Sequence, residues 1–390
     1  MPLSEQAYQR RFKRQIAKKE HEFFVVCALG FEELLASELR ALGHEVKVET
    51  GGVSFWAQFD AMYEVHLQVR SAHRVLLRIA SGLAQNLPML YEKLGKVALE
   101  LYLKNQEHYA LNVSTKASKL TMKQRLQSCF DDALAKRFRA VGEVKPSLDK
   151  QATIQLNLRL YQDSFQLAIN LSGEHLHKRG YRHQVGPAPI RETSAAAILQ
   201  LVGAENYAYI IDPMCGSGTF AIELALMLSR TPLARFRGFA FEGLAFHKKG
   251  MWERLKEGAE ARTLVPSQKI LAADFHVGAV EAARGNICGA QLEHLIQVQQ
   301  QDFFTWNLSD IRRDVGDACL IVLNPPYGAR LGLNEAKRFY QRIIQHIPSG
   351  VDVAILCPQR AWIAPLFAEL YWSKPIANTS QRVYLVKGRR

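Results

Sequence analysis

The chain has 390 residues, with 50 Lys+Arg against 37 Asp+Glu for a formal net charge of +13, and is 48% hydrophobic and 22% charged. Its length exceeds one ordinary core and points to two or three domains, and the composition excludes a disordered or low-complexity protein. The basic balance favours a polyanionic partner such as nucleic acid.

Cys27, Cys129, Cys215, Cys288, Cys319 and Cys357 stand singly, without C-x-x-C or Cys/His ligand spacing. Neither a disulfide scaffold nor a metal site is therefore expected. The first 20 residues carry charge where a signal peptide needs an apolar stretch, and no run reaches the ~18 apolar residues of a membrane span. A cytoplasmic protein without a membrane partner is expected; the oligomeric state is not legible.

In chain order, residues 1–20 carry Arg10, Arg11, Lys13, Arg14, Lys18 and Lys19 and read as a basic tail, either frayed or acting as an RNA-binding arm. Phe23–Leu29 reads as a strand and Glu32–Leu42 as a helix that Gly43 ends. Strands at Val46–Val48 and Val53–Gln58, a helix at Ala61–Gln68 and a strand at Val75–Ala80 complete a small α+β unit over 21–80. A second unit, 81–175, has strand-like Leu111–Ser114, Thr153–Leu160 and Ser164–Leu171. Between them Lys119–Ala140 is helical and basic, which suits either phosphate contact or a solvated face.

The stretch His177–Thr193 marks a boundary, with Gly180, Gly186, Pro187 and Pro189 among Lys178, Arg179, Arg182 and Arg191. Beyond it, apolar strands at Tyr207–Ile211, Lys269–Ala273, Ile296–Gln299, Cys319–Leu323, Asp352–Cys357 and Arg382–Val386 alternate with helical patterns. That alternation predicts an α/β domain with a parallel sheet over 176–390.

Asp212-Pro213-Met214-Cys215-Gly216-Ser217-Gly218-Thr219 follows the first of these strands and opens a helix, where parallel sheets bind ligands. Gly216–Ala221 formally fits the dinucleotide fingerprint G-x-G-x-x-A. Asp212, however, would repel a pyrophosphate and attract the ammonium and sulfonium of S-adenosylmethionine. Asp274, at the next strand end, suits the ribose hydroxyls. Asp302-Phe303, after the third strand, suits an adenine: the carboxylate for its amine, the ring for its face. A capping Asp before a core Phe fits those two residues equally well.

Asn324-Pro325-Pro326-Tyr327 follows the fourth strand. The prolines stiffen the turn. The Asn324 carboxamide oxygen and the Pro325 carbonyl can then both accept hydrogens from one exocyclic amine while Tyr327 stacks on the ring that bears it. Methyl transfer to a nucleobase amine is the expected chemistry, with the base unstacked from its nucleic acid. A C5-pyrimidine methyltransferase is disfavoured because it needs a nucleophilic cysteine, and Cys215 reads as a small residue in a tight loop.

These motifs resemble the THUMP-domain RNA methyltransferases, particularly the bacterial 23S ribosomal RNA guanine-N2 methyltransferases, a group long labelled N6-adenine-specific DNA methylases. The likeness also covers Gly30–Leu35 with Glu38-Leu39, Gly51-Gly52-Val53, Arg74-Val75, Arg179-Gly180-Tyr181-Arg182 and Ala188–Thr193. It implies an N-terminal ferredoxin-like domain (21–80), a THUMP RNA-binding domain (81–175) and a Rossmann-like class I methyltransferase domain (176–390). It implies S-adenosylmethionine as cofactor, held by Arg191, Glu192, Thr193, Asp212, Pro213, Gly216, Gly218, Thr219, Asp274, Asp302, Phe303 and Asn324. The target base would fall to Asn324, Pro325 and Tyr327. The implied partner is 23S rRNA or a large-subunit assembly intermediate.

The chain departs from the family at Ala272-Ala273-Asp274-Phe275-His276, where a second acid is usual, and is expected to lack the second methyltransferase fused to some relatives. Tyr371–Lys374 and Arg389-Arg390 have no role on this reading. The alternatives are an N6-adenine methyltransferase of DNA or RNA, a non-catalytic RNA-binding ribosome-assembly protein and, behind these, a dinucleotide oxidoreductase.

Overall fold

A computed structural model describes residues 4–104, 106–184, 190–308, 318–326, 333–378 and 381–390. The chain forms two compact units, and neither is contiguous. One comprises Met1–Val26, Ala36–Leu176 and Gly238–Leu255; the other comprises Cys27–Leu35, His177–Arg237 and Lys256–Arg390.

The first unit is built on strands β1 (His21–Val26), β2 (Val46–Glu49), β3 (Gly52–Ala57), β4 (Arg74–Leu83), β5 (His108–Lys116), β6 (Ser147–Leu148), β7 (Gln155–Tyr161) and β8 (Ser164–Asn170). They form one sheet in the order β2-β3-β1-β4-β8-β7-β5-β6. β4 runs past residue 80 and pairs with β1 on one side and β8 on the other, so the sheet is continuous across the expected 21–80 and 81–175 divisions. Helices α1 (Glu5–Phe12), α2 (Glu32–Ala41), α3 (Ala61–Gln68), α4 (Leu87–Leu94), α5 (Leu99–Tyr102) and α6 (Lys123–Val141) intervene along the chain. β5 and β7 are parallel, and a parallel pair needs a crossover, which α6 supplies. Its inward stripe is Leu126, Phe130, Ala133, Leu134 and Phe138, at helical spacing, and Gly142 closes it at φ +71°.

The expected frayed tail is instead folded. Ser4 caps α1, the Tyr8 hydroxyl donates to the Leu101 carbonyl at 2.9 Å, and Arg11 reaches Glu100 at 2.5 Å. Tyr8 and Ile16 are both 3% exposed. The spacing of Tyr8, Phe12 and Ile16 is the helical signal that the surrounding charge conceals.

The stretch Gly238–Leu255 packs into the same unit through its aromatics. Trp252 stacks on Tyr63 with centroids 5.5 Å apart, and Phe239 and Phe241 flank His66.

The second unit carries β9 (Tyr209–Asp212), β10 (Lys269–Asp274), β11 (Ile296–Gln300), β12 (Cys319–Leu323), β13 (Asp352–Cys357), β14 (Glu369–Asn378) and β15 (Gln381–Arg389). Their order is β11-β10-β9-β12-β13-β15-β14, parallel through β13, with β15 antiparallel to both neighbours. Helices α7 (Glu192–Leu201), α8 (Thr219–Leu228), α9 (Lys249–Glu260, assigned to the first unit up to Leu255), α10 (Val277–Gly289) and α11 (Leu333–His346) follow in sequence. β12, and β13 after its first residue, read as unbroken apolar runs because both their faces are covered.

Tyr371 and Arg389, without a role in the sequence reading, converge on the buried Asp352. Its Oδ1 accepts from the Tyr371 hydroxyl at 3.1 Å and from Arg389 Nε at 2.9 Å, and its Oδ2 accepts from the Tyr207 hydroxyl at 2.7 Å. This hub ties β13, β14 and β15 together at the strand ends remote from the Asp212 loop.

Candidate active site

The chain lays down β9, moves outward through β10 and β11, then returns to place β12 on the other side of β9. Such a reversal splays the loops that leave neighbouring strands in opposite directions and opens a crevice at their carboxyl ends. Two sequence motifs meet there. Ala272 is level with Asp212, which puts Asp274 two residues further along β10. Ile321 is level with Ile211; carrying that register one step puts Asp212 beside Val322, two residues before Asn324.

The 212–219 loop is tightly held. Cys215 N–H donates to the Ala273 carbonyl at 2.9 Å, and Gly218 N–H donates to the Cys215 carbonyl at 2.8 Å. Gly218 caps α8 at φ +81°, and a Cβ there would meet the Cβ of Ala283 at 3.2 Å. Gly216, at φ +53°, differs: a Cβ there would meet nothing within 4 Å. Gly218 is thus glycine for packing, whereas Gly216 leaves backbone open to a ligand. Burial pushes the Cys215 thiol well above its usual range, assisted by Asp212 and Asp274, which makes it inert.

Asp212 is 3% exposed, and among the described residues neither of its carboxylate oxygens has a hydrogen-bond partner of good geometry, although the nearby Met214 N–H favours its charged form. Burial and then the nearby Asp274 hold its carboxyl well above the usual carboxylate range. A buried acceptor pair left unpaired is costly and calls for a positively charged partner. Asp274 is already engaged: its Oδ2 accepts from Gly216 N–H and its Oδ1 from His276 N–H, each at 3.0 Å.

Asn324 Oδ1 is also buried without a partner among the described residues. The Pro325 carbonyl lies 3.5 Å from the hydroxyl of Tyr340, which is itself fully buried. Tyr327 lies outside the described residues.

Arg191, Glu192 and Thr193 form the start of α7. The Thr193 hydroxyl is buried without a partner among the described residues. Glu192 is pushed up to about 7 by burial, which outweighs the Arg182 guanidinium 3.0 Å away. Arg182 also donates to the Thr219 hydroxyl at 2.5 Å, linking α7 to the cofactor loop. Pro213 is buried within that loop.

Asp302 is exposed and accepts from the Phe304 N–H at 2.9 Å. Phe303 is 3% exposed and belongs to the core cluster of Ile211, Leu308 and Ile344. The structure therefore gives this pair the capping and core arrangement rather than an open ring face. An open ring stands instead at Phe275, 58% exposed and directly after Asp274.

Sequence reasoning passed over Asn286. It is fully buried, accepts the His183 and Gln184 N–H groups at 2.9 and 3.0 Å, and donates to the Gln184 and Ser217 carbonyls at 3.0 Å. One carboxamide thus joins the 181–184 segment to the cofactor loop. Arg179 donates to both oxygens of the buried Glu223 on α8, which also accepts from Tyr181 at 3.0 Å. No pattern in a single sequence flags an Asn inside a helix as such a clip.

The sheet order and the motif placement together define a Rossmann-like methyltransferase fold. Comparison with known proteins agrees. Residues 179–369 match the RMKL-like methyltransferase domain family, and residues 22–76 match the RlmL ferredoxin-like domain. The "Ribosomal RNA large subunit methyltransferase K/L" of Syntrophotalea carbinolica is 35% identical over 82% of this chain and 46% of the relative. The "Putative RNA methyltransferase" of Synechocystis sp. is 32% identical over 82% of this chain and 83% of the relative.

Among solved structures, SMU.472 in complex with SAH superposes with a TM-score of 0.87 at 25% identity, covering 96% of this chain and 99% of the other. A Listeria monocytogenes protein described as a predicted N6-adenine-specific DNA methylase gives 0.81 at 25% identity, over 94% and 96%. The chain belongs to the RlmKL-like family of class I RNA methyltransferases. It spans about half the length of the K/L proteins that it matches.

Proposed function

We propose that the chain transfers a methyl group from S-adenosylmethionine to the exocyclic N2 of a guanine in 23S rRNA, as naked RNA or within a large-subunit assembly intermediate. The observation that carries this reading is a pair of buried acceptors, Asp212 and Asn324, that lack a good hydrogen-bond partner among the described residues and stand at the ends of the strands that flank the switch point. One requires a cation and the other a hydrogen-bond donor; a sulfonium amino acid and a base amine supply them.

The cofactor fits the residues present. Asp212 takes its ammonium, the open backbone of Gly216 lies against it, and Asp274 meets its ribose. Arg191, Glu192, Thr193, Pro213, Gly218 and Thr219 shape the methionine end. Asp302 accepts from the adenine amine, and Phe275 supplies the ring face that Phe303 cannot. When bound, S-adenosylmethionine supplies an electrophilic methyl on a sulfonium, so the chain's own work is positioning.

Asn324 Oδ1 and the Pro325 carbonyl accept the two amine hydrogens and turn the nitrogen lone pair toward the donor. Those acceptors strengthen their hold as the nitrogen becomes positive, and the proton then passes to water. Tyr327 stacks on the flipped base.

The K/L relatives favour ribosomal RNA, and guanine is what the family resemblance implies. Transfer to adenine N6 is the second reading, favoured by the Listeria neighbour and by a turn that fits either amine. The 81–175 segment is read as a THUMP domain and favours RNA over DNA. Nucleoside mass spectrometry of large-subunit rRNA from cells with and without the gene tests the assignment. Loss of N2-methylguanosine supports it; loss of N6-methyladenosine replaces it with the second reading.

A further inference from the structure

Asn286 is buried with every polar atom of its carboxamide in use. Its oxygen faces two backbone N–H groups and its nitrogen faces two carbonyls, so the bonds exhaust what an amide can make. An Asp of the same shape would keep the bonds from His183 and Gln184. It would also set a carboxylate oxygen against the carbonyls of Gln184 and Ser217. An Ala would leave all of these backbone groups buried and unpaired.

The place of Ser217 gives this clip a consequence beyond folding. Ser217 lies between Gly216 at φ +53° and Gly218 at φ +81°. Backbone flanked by two glycines has the most freedom to lose, so its shape must be held by its surroundings. The loop's amides are held: Cys215 N–H by the Ala273 carbonyl, Gly216 N–H by Asp274 Oδ2, and Gly218 N–H by the Cys215 carbonyl. The Ser217 carbonyl is held from outside the loop, and Asn286 is the holder. That bond fixes the plane of the Ser217–Gly218 peptide, next to the open backbone of Gly216.

α10 is a firm base for this contact. Ala283 and Gly289 stand three residues either side of Asn286, on the same helix face. Ala283 lies against Gly218, and a Cβ at Gly289 would come within 2.6 Å of the Tyr181 carbonyl. The 179–184 segment is anchored in turn. Arg179 and Tyr181 bond Glu223 on α8, and Arg182 bonds Thr219 at its start. Asn286 joins this anchored segment to the one peptide of the loop that its own glycines leave free to turn.

We propose that Asn286 is a positioning residue for the cofactor. It holds the 216–218 backbone in the shape that S-adenosylmethionine binds, so the ligand does not have to order the loop itself. The inference rests on the reading of Asp212–Thr219 as the cofactor loop.

The test measures SAH binding and thermal stability of the full chain and of Asn286→Asp and Asn286→Ala, with Tyr207→Phe as a control. Tyr207 bonds Asp352 at the strand ends remote from the loop, so its loss lowers stability without reaching the cofactor. Both Asn286 variants raise the Kd for SAH about tenfold or more by calorimetry, well below their melting temperatures, and still bind one SAH per chain. KM for S-adenosylmethionine rises by a similar factor, while kcat at saturating cofactor stays within about threefold of the unmodified chain. Tyr207→Phe melts lower and keeps the unmodified Kd. Hydrogen exchange of the unmodified chain supplies a reading that needs no variant. The amides of Cys215, Gly216 and Gly218 exchange slowly before SAH is added.

A merely structural role would lower the melting temperature or the number of sites per chain of the Asn286 variants at an unchanged Kd. That result overturns the inference and leaves the cofactor reading standing. Loop amides that exchange freely until SAH binds overturn it as well, whether or not the variants fold. If the unmodified chain does not bind SAH, the cofactor reading itself fails.

Discussion

The hydroxyl of Tyr340, on α11, lies 3.5 Å from the carbonyl oxygen of Pro325, at the end of β12. Tyr340 is fully buried among the apolar side chains of the sheet, where a phenol needs a polar partner. The bond is long, and a carbonyl has two lone pairs, so the second stays available to a base amine. Tyr340 is thereby a positioning residue for the turn. Tyr340→Phe is expected to lower kcat about three- to tenfold, the worth of one ordinary hydrogen bond, with KM for S-adenosylmethionine unchanged. An unchanged kcat would remove Tyr340 from the mechanism.

Among the described residues Asn324 Oδ1 has no partner to lose, so truncating it should not disturb the fold. Asn324→Ala is expected to reduce methyl transfer by at least about a hundredfold, while SAH binding and thermal stability stay close to those of the unmodified protein. Near-normal turnover in this variant would sink the assignment of the turn.

Asp212 makes cofactor binding proton-linked. Its carboxyl is held well above the usual range in the free protein, chiefly by burial, so the neutral form is favoured there. A bound ammonium favours the carboxylate, so binding and proton loss are coupled. SAH affinity should therefore rise with pH until the raised pKa is passed. Calorimetry in buffers of different ionisation enthalpy should detect proton release on SAH binding. Asp212→Asn should abolish that release and weaken binding at least about tenfold. Release that persists in Asp212→Asn would locate the titrating group elsewhere.

The two loop glycines should separate stability from binding. Gly218→Ala meets Ala283 and carries a Cβ at φ +81°, so it is expected to cost about 1–3 kcal/mol of stability. Gly216→Ala bears the milder strain of φ +53° and has open space around its Cβ. It should keep most of its melting temperature yet lose SAH affinity. Thermal denaturation with and without SAH measures both, and identical behaviour of the two variants would contradict the distinction.

Neither unit is a contiguous stretch of chain, which bears on dissection of the protein. A fragment of residues 177–390 would carry Phe239, Phe241, Phe246 and Trp252 without the first-unit residues that bury them. It would also lack Cys27–Leu35, whose Leu29 carbonyl accepts the Ala377 N–H and whose Gly30 packs under the Pro375 carbonyl. The fragment is expected to aggregate when expressed alone and to be rescued by co-expression of residues 1–176. A soluble, monomeric fragment with a cooperative melt would refute this.

How much of the site could be read without coordinates follows from the range of the interactions concerned. The Asp212–Thr219 loop and the Asn324–Pro326 turn are local: short runs whose glycines and prolines dictate backbone shape, each at the end of an apolar strand. The tail was misread because Arg10, Arg11, Lys13 and Arg14 mask the Tyr8, Phe12 and Ile16 stripe, which acquires meaning only once Leu101 and Glu100 lie against it. That Phe303 is buried and Phe275 exposed was not legible, because ring exposure depends on what packs over a strand end, and both follow an acid in the same way.

By itself the amino-acid sequence determined the alternation of strands and helices, the parallel sheet and the two motifs, since periodicity, Gly and Pro act through the nearest few residues. Tertiary structure alone decided that β9 and β12 are neighbours, which brings the buried acceptors of Asp212 and Asn324 to one end of the sheet. It alone decided that Asn286 clips two segments together, that Asp352 gathers Tyr207, Tyr371 and Arg389, and that Gly238–Leu255 belongs with the first unit. Each of these joins residues far apart in the chain, and such pairings are selected by the burial and hydrogen-bond satisfaction of the whole fold, which no local pattern contains.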